Sequence, residues 1–262
     1  MSAEIVIKIS NLCTQFGPNI IHDNLNLTIY RGEIVALIGG SGTGKSTLLR
    51  EIILLEQPAA GSIQVLGQEV LHLNDKQSLW LRRRCGVMFQ NGALFSSLTV
   101  AENVALPLRE HTQLNQSFIQ ELAAFKIALV GLPEHARDKY PAQLSGGMIK
   151  RAAIARALAL DPEILFLDEP TAGLDPIGAN ALDELIIRLK ESLGLTVIIV
   201  THDLDSLWKV TDRVAVLADK RVFAVAPIPE LIQLNHHWLQ GYFQGPRGRA
   251  VPPAASTLKK VD

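Results

Sequence analysis

One eight-residue stretch, Gly39–Ser46, constrains the fold of this chain most strongly, because it fits the pattern G-x-x-x-x-G-K-[ST]. In this pattern the glycines let backbone N–H groups close around phosphate oxygens, the lysine adds positive charge, and the serine hydroxyl is a magnesium ligand. The stretch follows an apolar, β-branched run, Ile34–Ile38, and precedes Lys45–Glu56, whose apolar positions recur at helical spacing. The phosphates would then lie at a helix N-terminus, which favours anions.

A glycine-rich turn between a strand and a helix is the alternative interpretation of this stretch. The apolar strand before it and the helical pattern after it favour a phosphate-binding loop, because that is the context in which the motif works. The loop therefore predicts that the chain binds ATP or GTP, and leaves open what the nucleotide is used for.

Composition narrows the possible classes. The chain has 262 residues, of which 48% are hydrophobic, enough for one large α/β domain with a sizeable core. A net charge of −1 argues against a surface that binds nucleic acid. Cys13 and Cys85 lie far apart without metal-ligand spacing, as expected of reduced thiols in the cytosol. The apolar runs are short, whereas a membrane span needs about 20 apolar residues, so we expect a soluble, cytosol-facing protein.

The hydrophobic pattern changes along the chain. Residues 4–35 alternate apolar and polar positions, which predicts an antiparallel, half-exposed sheet. From Ile34 onward, apolar strands alternate with helical stretches, the pattern of a parallel sheet covered on both faces. Asn91–Ala142 shows helical patterns only and predicts a helical insertion. Further parallel strands are predicted at Ile164–Leu167, Leu195–Val200 and Val214–Leu217.

Two acidic residues follow one of these strands. Ile164–Leu167 is followed by Asp168 and Glu169, and a carboxylate at the end of a parallel strand can face the ligand crevice of an open α/β sheet. Asp168 then fits the acid that holds magnesium, and Glu169 fits the base that polarises the attacking water. Ordinary solvated acids at an exposed strand end are the alternative.

Other residues are ambiguous when taken singly. Ser145, Gly146 and Gly147 precede a helical pattern at Ile149–Leu160, and could form a second anion site or a simple N-cap with a tight turn. His202 and Gln90 each follow a strand-like segment, where such side chains are more often structural than catalytic.

In order along the chain, these motifs resemble those of the ATP-binding subunit of an ABC transporter. The resemblance covers roughly residues 5–225 and implies a P-loop NTPase (ABC ATPase) core with an antiparallel β subdomain, a helical subdomain insertion and a C-terminal tail. It places the ABC ATPase domain at residues 5–226, with the helical subdomain at about 91–160, and leaves 227–262 as a C-terminal extension. The Pro- and Ala-rich composition of the last dozen residues predicts that this end is disordered unless a partner holds it. The matching motifs are Gly39–Ser46, Gln90, Leu144–Met148, Asp168-Glu169, Gly173-Leu174-Asp175 and His202.

The resemblance also implies a role for each matching residue. In this family two chains close head to tail around two ATP molecules, so Ser145 and Gly147 would bind the γ-phosphate of the ATP held by the other chain. Catalysis would involve Glu169 as base, His202 and Lys45, and Mg²⁺ would be held by Ser46, Gln90 and Asp168. Phe16 would stack on adenine, and Asp175 would link the two sites. The implied ATP-binding residues are Phe16, Gly39, Gly40, Ser41, Gly42, Thr43, Gly44, Lys45, Ser46, Thr47, Gln90, Ser145, Gly146, Gly147 and Asp175.

Two motifs depart from the family pattern. Met148 occupies the fifth signature position, where glutamine is commonest, and Ala172–Asp175 replaces the commoner Ser-Ala-Leu-Asp. Met148 would lose a polar contact to the opposite nucleotide, while neither change affects the hydrolytic groups.

A longer segment resembles one branch of the family. Gly92–Thr112, together with Met148 and His237–Gly241, is similar to the ATPases of the Mla phospholipid-transport branch. This implies an ATPase dimer at the cytoplasmic face of the bacterial inner membrane that powers phospholipid movement between the inner and outer membranes. The implied partners are a pair of permeases, a periplasmic MCE-domain lipid-binding subunit and a small STAS-domain protein. Residues 227–250 would reach the dimer neighbour and help secure the STAS-domain protein.

Two other functions are compatible with a phosphate loop. The first is an ABC transporter ATPase for another substrate, such as an amino acid or a metal. The second is a soluble ABC protein acting on ribosomes or DNA; such proteins carry two nucleotide domains or long coiled-coil insertions, and this chain has neither pattern.

Overall fold

The computed structural model of the chain describes residues 4–244. The disorder expected at the end of the chain concerns residues outside this range. Two sheets form within it, one antiparallel and one mainly parallel, as the change in hydrophobic pattern predicts.

The antiparallel sheet has four strands in the order β2-β1-β4-β5. Its two long strands are joined by a tight turn and carry the predicted alternation, so that one face is buried and the other is largely exposed. The strands are β1 (Ile5–Phe16), β2 (Asn19–Tyr30), β4 (Ala60–Val65) and β5 (Gln68–Glu69).

The second sheet has six strands in the order β10-β9-β3-β8-β7-β6. Its strands pair in parallel except for β10, which pairs antiparallel with β9 at one edge. The strands are β3 (Ile34–Gly39), β6 (Cys85–Met88), β7 (Ile164–Asp168), β8 (Thr196–Val200), β9 (Arg213–Ala218) and β10 (Arg221–Ala226).

Helices cover the parallel sheet, and three of them lie in the predicted helical insertion between β6 and β7. The helices are α1 (Lys45–Ile52), α2 (Asp75–Arg83), α3 (Val100–His111), α4 (Gln116–Leu129), α5 (Gly146–Ala157), α6 (Pro176–Leu193), α7 (Leu204–Val210), α8 (Ile228–Leu231) and α9 (His237–Gln244), with 3₁₀ turns at Val70–His72, Glu134–Ala136 and Pro141–Gln143.

The position of strand β3 in the structure explains why its sequence is continuously apolar. Val35 and Leu37 pack toward the antiparallel sheet and α1, whereas Ala36 and Ile38 pack toward α7, α8 and α9. Both faces are therefore buried, and alternate side chains contribute to different cores. A third core lies between the sheet and the helices of the insertion.

The boundaries predicted for helices α1 and α5 were wrong. Helix α1 ends at Ile52 and not at Glu56, because Leu54 takes a left-handed conformation, with φ 65°, that ends the helix. Leu55 is consequently 56% exposed. Helix α5 spans Gly146–Ala157 and not Ile149–Leu160. It begins earlier because Ser145 caps it directly and both glycines lie in its first turn, and Leu158 is its C-cap.

The sequence pattern missed β4, β5 and β10. Each lies at or near an edge of its sheet, and each is short or only partly buried, so its apolar alternation is weak. These strands are recognisable only once their neighbours β1 and β9 are in place.

The C-terminal part of the described chain packs against one face of the parallel sheet and against α7. Leu239 and Phe243 of α9 are buried against the group that includes Ile38 and Leu207. The ring of Trp238 stacks on that of Tyr242 with centroids 4.7 Å apart. The reach of residues 227–250 toward a second chain stays a prediction. Within residues 4–244, no helix combines the length and apolarity required to cross a membrane.

Candidate nucleotide-binding site

Most of the predicted site residues lie where the strands of the parallel sheet end, along one side that we call the sheet edge. Strands β3, β8, β7 and β6 are neighbours in that order and run parallel, so their C-terminal ends meet at the same edge. The Gly39–Ser46 loop follows β3, His202 follows β8, Asp168 and Glu169 end β7, and Gln90 follows β6. The sheet therefore brings together groups that lie more than 150 positions apart in sequence.

Backbone geometry explains the glycines of the loop. Gly39 lies so close to β9 that a Cβ there would be 2.4 Å from the Leu217 carbonyl oxygen. Gly44 has a φ of 92° and is the N-cap of α1, with no side chain to cap the helix. A residue with a side chain would be strained at Gly44, and N–H groups at the start of α1 remain available for an anion.

Lys45 is held over the loop that it follows. Its Nζ donates hydrogen bonds to the carbonyl oxygens of Gly39 and Gly40, both at 2.9 Å. Burial lowers the pKa of Lys45, and the charges of Glu169 and Asp168 act in the opposite direction. The ammonium group is therefore pre-positioned among the loop atoms, where outer phosphates would be bound.

The two acids at the end of β7 have distinct environments. Burial raises the pKa of Asp168, the Glu169 carboxylate adds to this, and Arg50, Lys150 and Lys45 oppose it. Glu169 has a φ of 48°, and its N–H donates to the Val200 carbonyl at 2.8 Å. A non-glycine residue in this conformation is strained, as is frequent at functional sites.

His202 contacts Glu169 directly. The His202 Nδ1 and Glu169 Oε1 atoms are 2.8 Å apart, and the side chains are 78% and 14% exposed respectively. The carboxylate is thus buried against the protein while the imidazole lies at the surface. An exposed imidazole beside a shielded carboxylate can contact a phosphate or a water that approaches from solvent.

The donor atoms near the loop fit a magnesium ion that is shared with phosphates. Ser46 and Gln90 have exposed side chains, and Asp168 supplies a carboxylate, so all three can offer oxygen ligands. Residues 4–244 contain no group of three or more His, Cys, Asp or Glu side chains that would hold a metal alone.

Ser145, Gly146 and Gly147 lie at the start of α5 and form the second candidate anion site. The Ser145 hydroxyl accepts a hydrogen bond from the Met148 N–H at 3.3 Å, and so it caps α5. Ser145 and Gly146 are exposed, and no described hydrogen bond joins these three residues to Gly39–Ser46. Met148 is partly buried and packs against the core of the helical insertion, so its side chain belongs to that core.

Phe16 and Asp175 complete the predicted set. Phe16 ends β1 and is 49% exposed, as a ring that could stack on a base would be. Asp175 caps α6 by accepting from the N–H groups of Ile177 and Gly178, at 3.0 and 2.9 Å. Ile177 beside it is 82% exposed, an unusual position for a large apolar side chain.

Sequence reasoning missed Lys150, which joins the two parts of the site. It lies on the second turn of α5 and is 6% exposed. Its Nζ donates to the Gln90 carbonyl at 2.5 Å and to the Glu169 carbonyl at 3.0 Å. Burial lowers its pKa, against the charges of Glu169 and Asp168. A lysine in a helix has no sequence signal for such a role.

Comparisons with known proteins agree on one family. A family model described as ABC transporter matches residues 22–172. The chain is 40% identical over 260 residues to the intermembrane phospholipid transport system ATP-binding protein MlaF of Haemophilus influenzae, covering 98% of both chains. It is also 40% identical over 254 residues to the methionine import ATP-binding protein MetN of Lactobacillus johnsonii, covering 93% of this chain and 72% of MetN.

A similar solved structure is a dimer of the ATP-binding cassette MJ0796 in a post-hydrolysis state bound to ADP and Pi. The TM-score is 0.77 at 34% sequence identity, and the match covers 84% of this chain and 98% of the cassette.

Proposed function

This chain belongs to the ABC transporter family as an ATP-binding, ATP-hydrolysing subunit, and from that premise we propose that it powers phospholipid movement between the inner and outer bacterial membranes. The family, the P-loop NTPase fold and the ATPase activity predicted from the sequence are thereby confirmed. The observation that carries the lipid proposal is the similarity to MlaF, which extends over 98% of both chains and so includes the C-terminal segment.

We propose that the sheet edge holds ATP and Mg²⁺ in one half of a composite site. Lys45 and the N–H groups at the start of α1 bind the phosphates, where the pre-positioned charges stabilise the transition state. Glu169 acts as base on the attacking water, and His202 contacts the γ-phosphate. Mg²⁺, when bound by Ser46, Gln90, Asp168 and phosphate oxygens, neutralises developing charge.

The other half of the site comes from a second copy of the chain. ABC cassettes dimerise, as the related ADP-bound structure shows. Because the start of α5 is largely exposed and has no described hydrogen bond to Gly39–Ser46, Ser145 and Gly147 are available to bind the γ-phosphate held by the other chain. Asp175 and the exposed Ile177 lie at the start of α6, where we propose that the two chains meet.

A rigid loop after Gln90 supports docking to a permease. Asn103 is fully buried in α3, and its amide donates to the carbonyls of Phe95, Leu98 and Thr99, while its oxygen accepts from the Phe95 N–H at 2.8 Å. Such a network fixes the loop in one conformation. Phe95 is nevertheless 53% exposed, so an aromatic ring is presented to solvent on a rigid base.

An apolar cavity of about 250 Å³ lies beside β6, the strand that precedes Gln90. It is lined by Leu54, Leu55, Leu81 and Phe89, among others, and Leu55 is itself largely exposed. A permease segment bound in this cavity would contact Phe89. The next residue in the chain is Gln90, a proposed Mg²⁺ ligand, so the cavity and the proposed Mg²⁺ site are linked through neighbouring residues. We propose that ATP-driven movement passes to the permease by this route.

We place the chain on the cytoplasmic face of the inner membrane, held by a pair of permeases. An MCE-domain lipid-binding subunit in the periplasm and a small STAS-domain protein on the ATPase would complete the complex. This placement rests on the similarity to MlaF and on the Gly92–Thr112 and His237–Gly241 segments.

The decisive experiment is purification of the tagged full chain from its native membranes in a mild detergent, with mass spectrometry of the bound proteins and lipids. Co-purification of an MCE-domain protein together with glycerophospholipid is the expected result. Recovery of a solute-binding protein and a permease without an MCE-domain subunit would contradict the lipid proposal and leave the ATPase activity intact.

A pair of variants tests the docking surface in the same experiment. Phe95→Glu places a charge on the proposed permease contact and should abolish co-purification of the permease. Phe118→Glu is the matched control, because Phe118 is 48% exposed on α4 outside that surface, and it should leave the complex intact. Equal recovery of permease with both variants would show that Phe95 is not in the interface.

Transport of a different solute is the second candidate. MetN, named for methionine import, has the same identity of 40% to this chain, and so the cassette alone does not discriminate between cargoes. The bound partner proteins do, which is why the experiment identifies them as well as the lipid.

A further inference from the structure

Three polar side chains are buried together directly behind the phosphate loop. Thr14 of β1, His22 of β2 and Glu51 of α1 are 1%, 0% and 0% exposed. The Thr14 hydroxyl donates to Glu51 Oε1 at 2.7 Å, and Thr14 Oγ1 lies 2.8 Å from His22 Nδ1. Three polar groups are costly to bury, so their presence in an otherwise apolar core needs an explanation.

The protons of this triad can be assigned from its hydrogen bonds. Thr14 has one hydroxyl proton, which it donates to Glu51, so its oxygen accepts from an N–H at His22 Nδ1. His22 Nδ1 also lies 3.6 Å from the second carboxylate oxygen of Glu51, so all three side chains are in contact. His22 Nε2 is buried and has no hydrogen-bond partner among the described residues.

The unpartnered nitrogen faces Gly44, the last glycine of the phosphate loop. A Cβ built on Gly44 would lie 2.3 Å from His22 Nε2 and 2.6 Å from a methyl group of Ile21. The Gly44 Cα therefore lies directly against the Nε2 end of the His22 ring, with no room between them for a side chain. Gly44 precedes Lys45 and holds the left-handed conformation that opens α1.

We infer that His22, Thr14 and Glu51 are positioning residues that hold the phosphate loop from behind. Glu51 fixes Thr14, Thr14 fixes the His22 ring, and the ring fixes Gly44, so the loop N–H groups keep the geometry that binds phosphate. The triad ties α1, which carries Lys45 and Ser46, to the sheet that carries Phe16. This inference goes beyond the proposed function, because it concerns nucleotide affinity and is independent of the cargo.

Two pairs of variants of the full chain test the inference, with MgADP as the titrated ligand and steady-state ATP hydrolysis as the second measurement. Thr14→Val removes the hydroxyl at nearly constant volume, whereas Thr14→Ser keeps it. His22→Asn keeps a donor near the Nδ1 position, whereas His22→Gln extends an amide to the Nε2 position. We expect the MgADP Kd and the KM for ATP to rise about five- to tenfold in Thr14→Val and His22→Asn, as expected for the loss of roughly one hydrogen bond's contribution.

The matched variants separate positioning from simple stability. We expect Thr14→Ser to stay within about twofold of the unaltered chain, and His22→Gln to lose less affinity than His22→Asn, because its amide reaches Gly44 although it lacks the bond to Thr14. We expect kcat to change less than KM in all four, because the loop binds the ground state and the transition state alike. If Thr14→Val does not fold, the two His22 variants alone decide the question. Equal Kd values for folded His22→Asn and His22→Gln, both unchanged from the unaltered chain, would show that the triad only joins the sheet to α1.

Discussion

Helices α1 and α5 each have a glycine at or next to the N-terminus, where an anion can bind, but the surroundings of the two N-termini differ. The start of α1 is preceded by a buried strand, and it lies among Lys45, Asp168 and Glu169 at the sheet edge. The start of α5 is capped by its own Ser145 and is exposed, without a described contact to the phosphate loop.

Under the proposed function, this difference means that one chain contributes two unlike half-sites, one at α1 and one at α5. The α1 start has a cation, two acids nearby and a glycine loop, so we expect it to hold a nucleotide by itself. The α5 start offers only a hydroxyl and backbone N–H groups, so it adds affinity only where another chain supplies the nucleotide. The following predictions test this division, beginning with the largest expected effect.

Glu169→Gln removes the base at the α1 half-site while preserving its shape. We expect kcat for ATP hydrolysis to fall on the order of a thousandfold, because general-base catalysis contributes about 10²- to 10⁴-fold. ATP binding should persist and trap a closed dimer, which light scattering in the presence of ATP would detect. Loss of nucleotide affinity in a folded variant would contradict the base assignment.

Ser145→Arg blocks the α5 half-site with a long side chain. We expect hydrolysis to fall about a hundredfold, a size typical of losing one phosphate-contacting donor, while each monomer still binds ATP. Mixed dimers with one altered chain provide the sharper measurement, since each such chain should disable the site on its neighbour. Two fully active sites in mixed dimers would show that Ser145 does not act across the dimer.

Lys45→Ala removes the cation at the α1 half-site. We expect the Kd for ATP to rise about 10- to 100-fold, as for the loss of a charged hydrogen bond, in the isolated chain as well as in the dimer. The contrast with Ser145→Arg, which should leave the monomer's Kd unchanged, is the informative result. Normal ATP affinity in Lys45→Ala would overturn the phosphate-loop assignment.

Lys150→Met breaks the described connection between the two halves within one chain. Its ammonium bonds to the Gln90 and Glu169 carbonyls would be lost, so the Glu169 backbone would be held less firmly. We expect kcat to fall about tenfold, since small misplacements of catalytic groups are costly, with the Kd for ATP nearly unchanged. Stopped-flow hydrolysis and equilibrium titration would separate these quantities; an altered Kd with normal kcat would contradict the prediction.

The sequence could predict the residues of the α1 half-site because their chemistry is local. The glycine spacing of Gly39–Ser46 and the acids after Ile164–Leu167 each carry a physical reason that can be recognised without a structure. His202 and Gln90 required the family resemblance, because a single polar residue after a strand has no local signal.

The buried triad behind the phosphate loop could be predicted from the sequence only in part. Glu51 occupies a core position, between Leu48 and Ile52 on the buried face of α1, and an acid there is a visible anomaly in an apolar pattern. Its partners cannot be found by inspection, because Thr14 and His22 lie on two other elements, and only the register of β1 and β2 places them side by side.

The amino-acid sequence by itself determined the elements and the chemistry: an apolar strand, a glycine loop that can take left-handed conformations, and the acids and cation that a phosphate site needs. Tertiary structure alone decided which of these groups meet. Strand order brought His202 next to Glu169, and the packing of α5 brought Lys150 to the Glu169 carbonyl. The reason is physical: propensity and spacing act over a few residues, whereas contacts between distant segments follow from how apolar faces pack together.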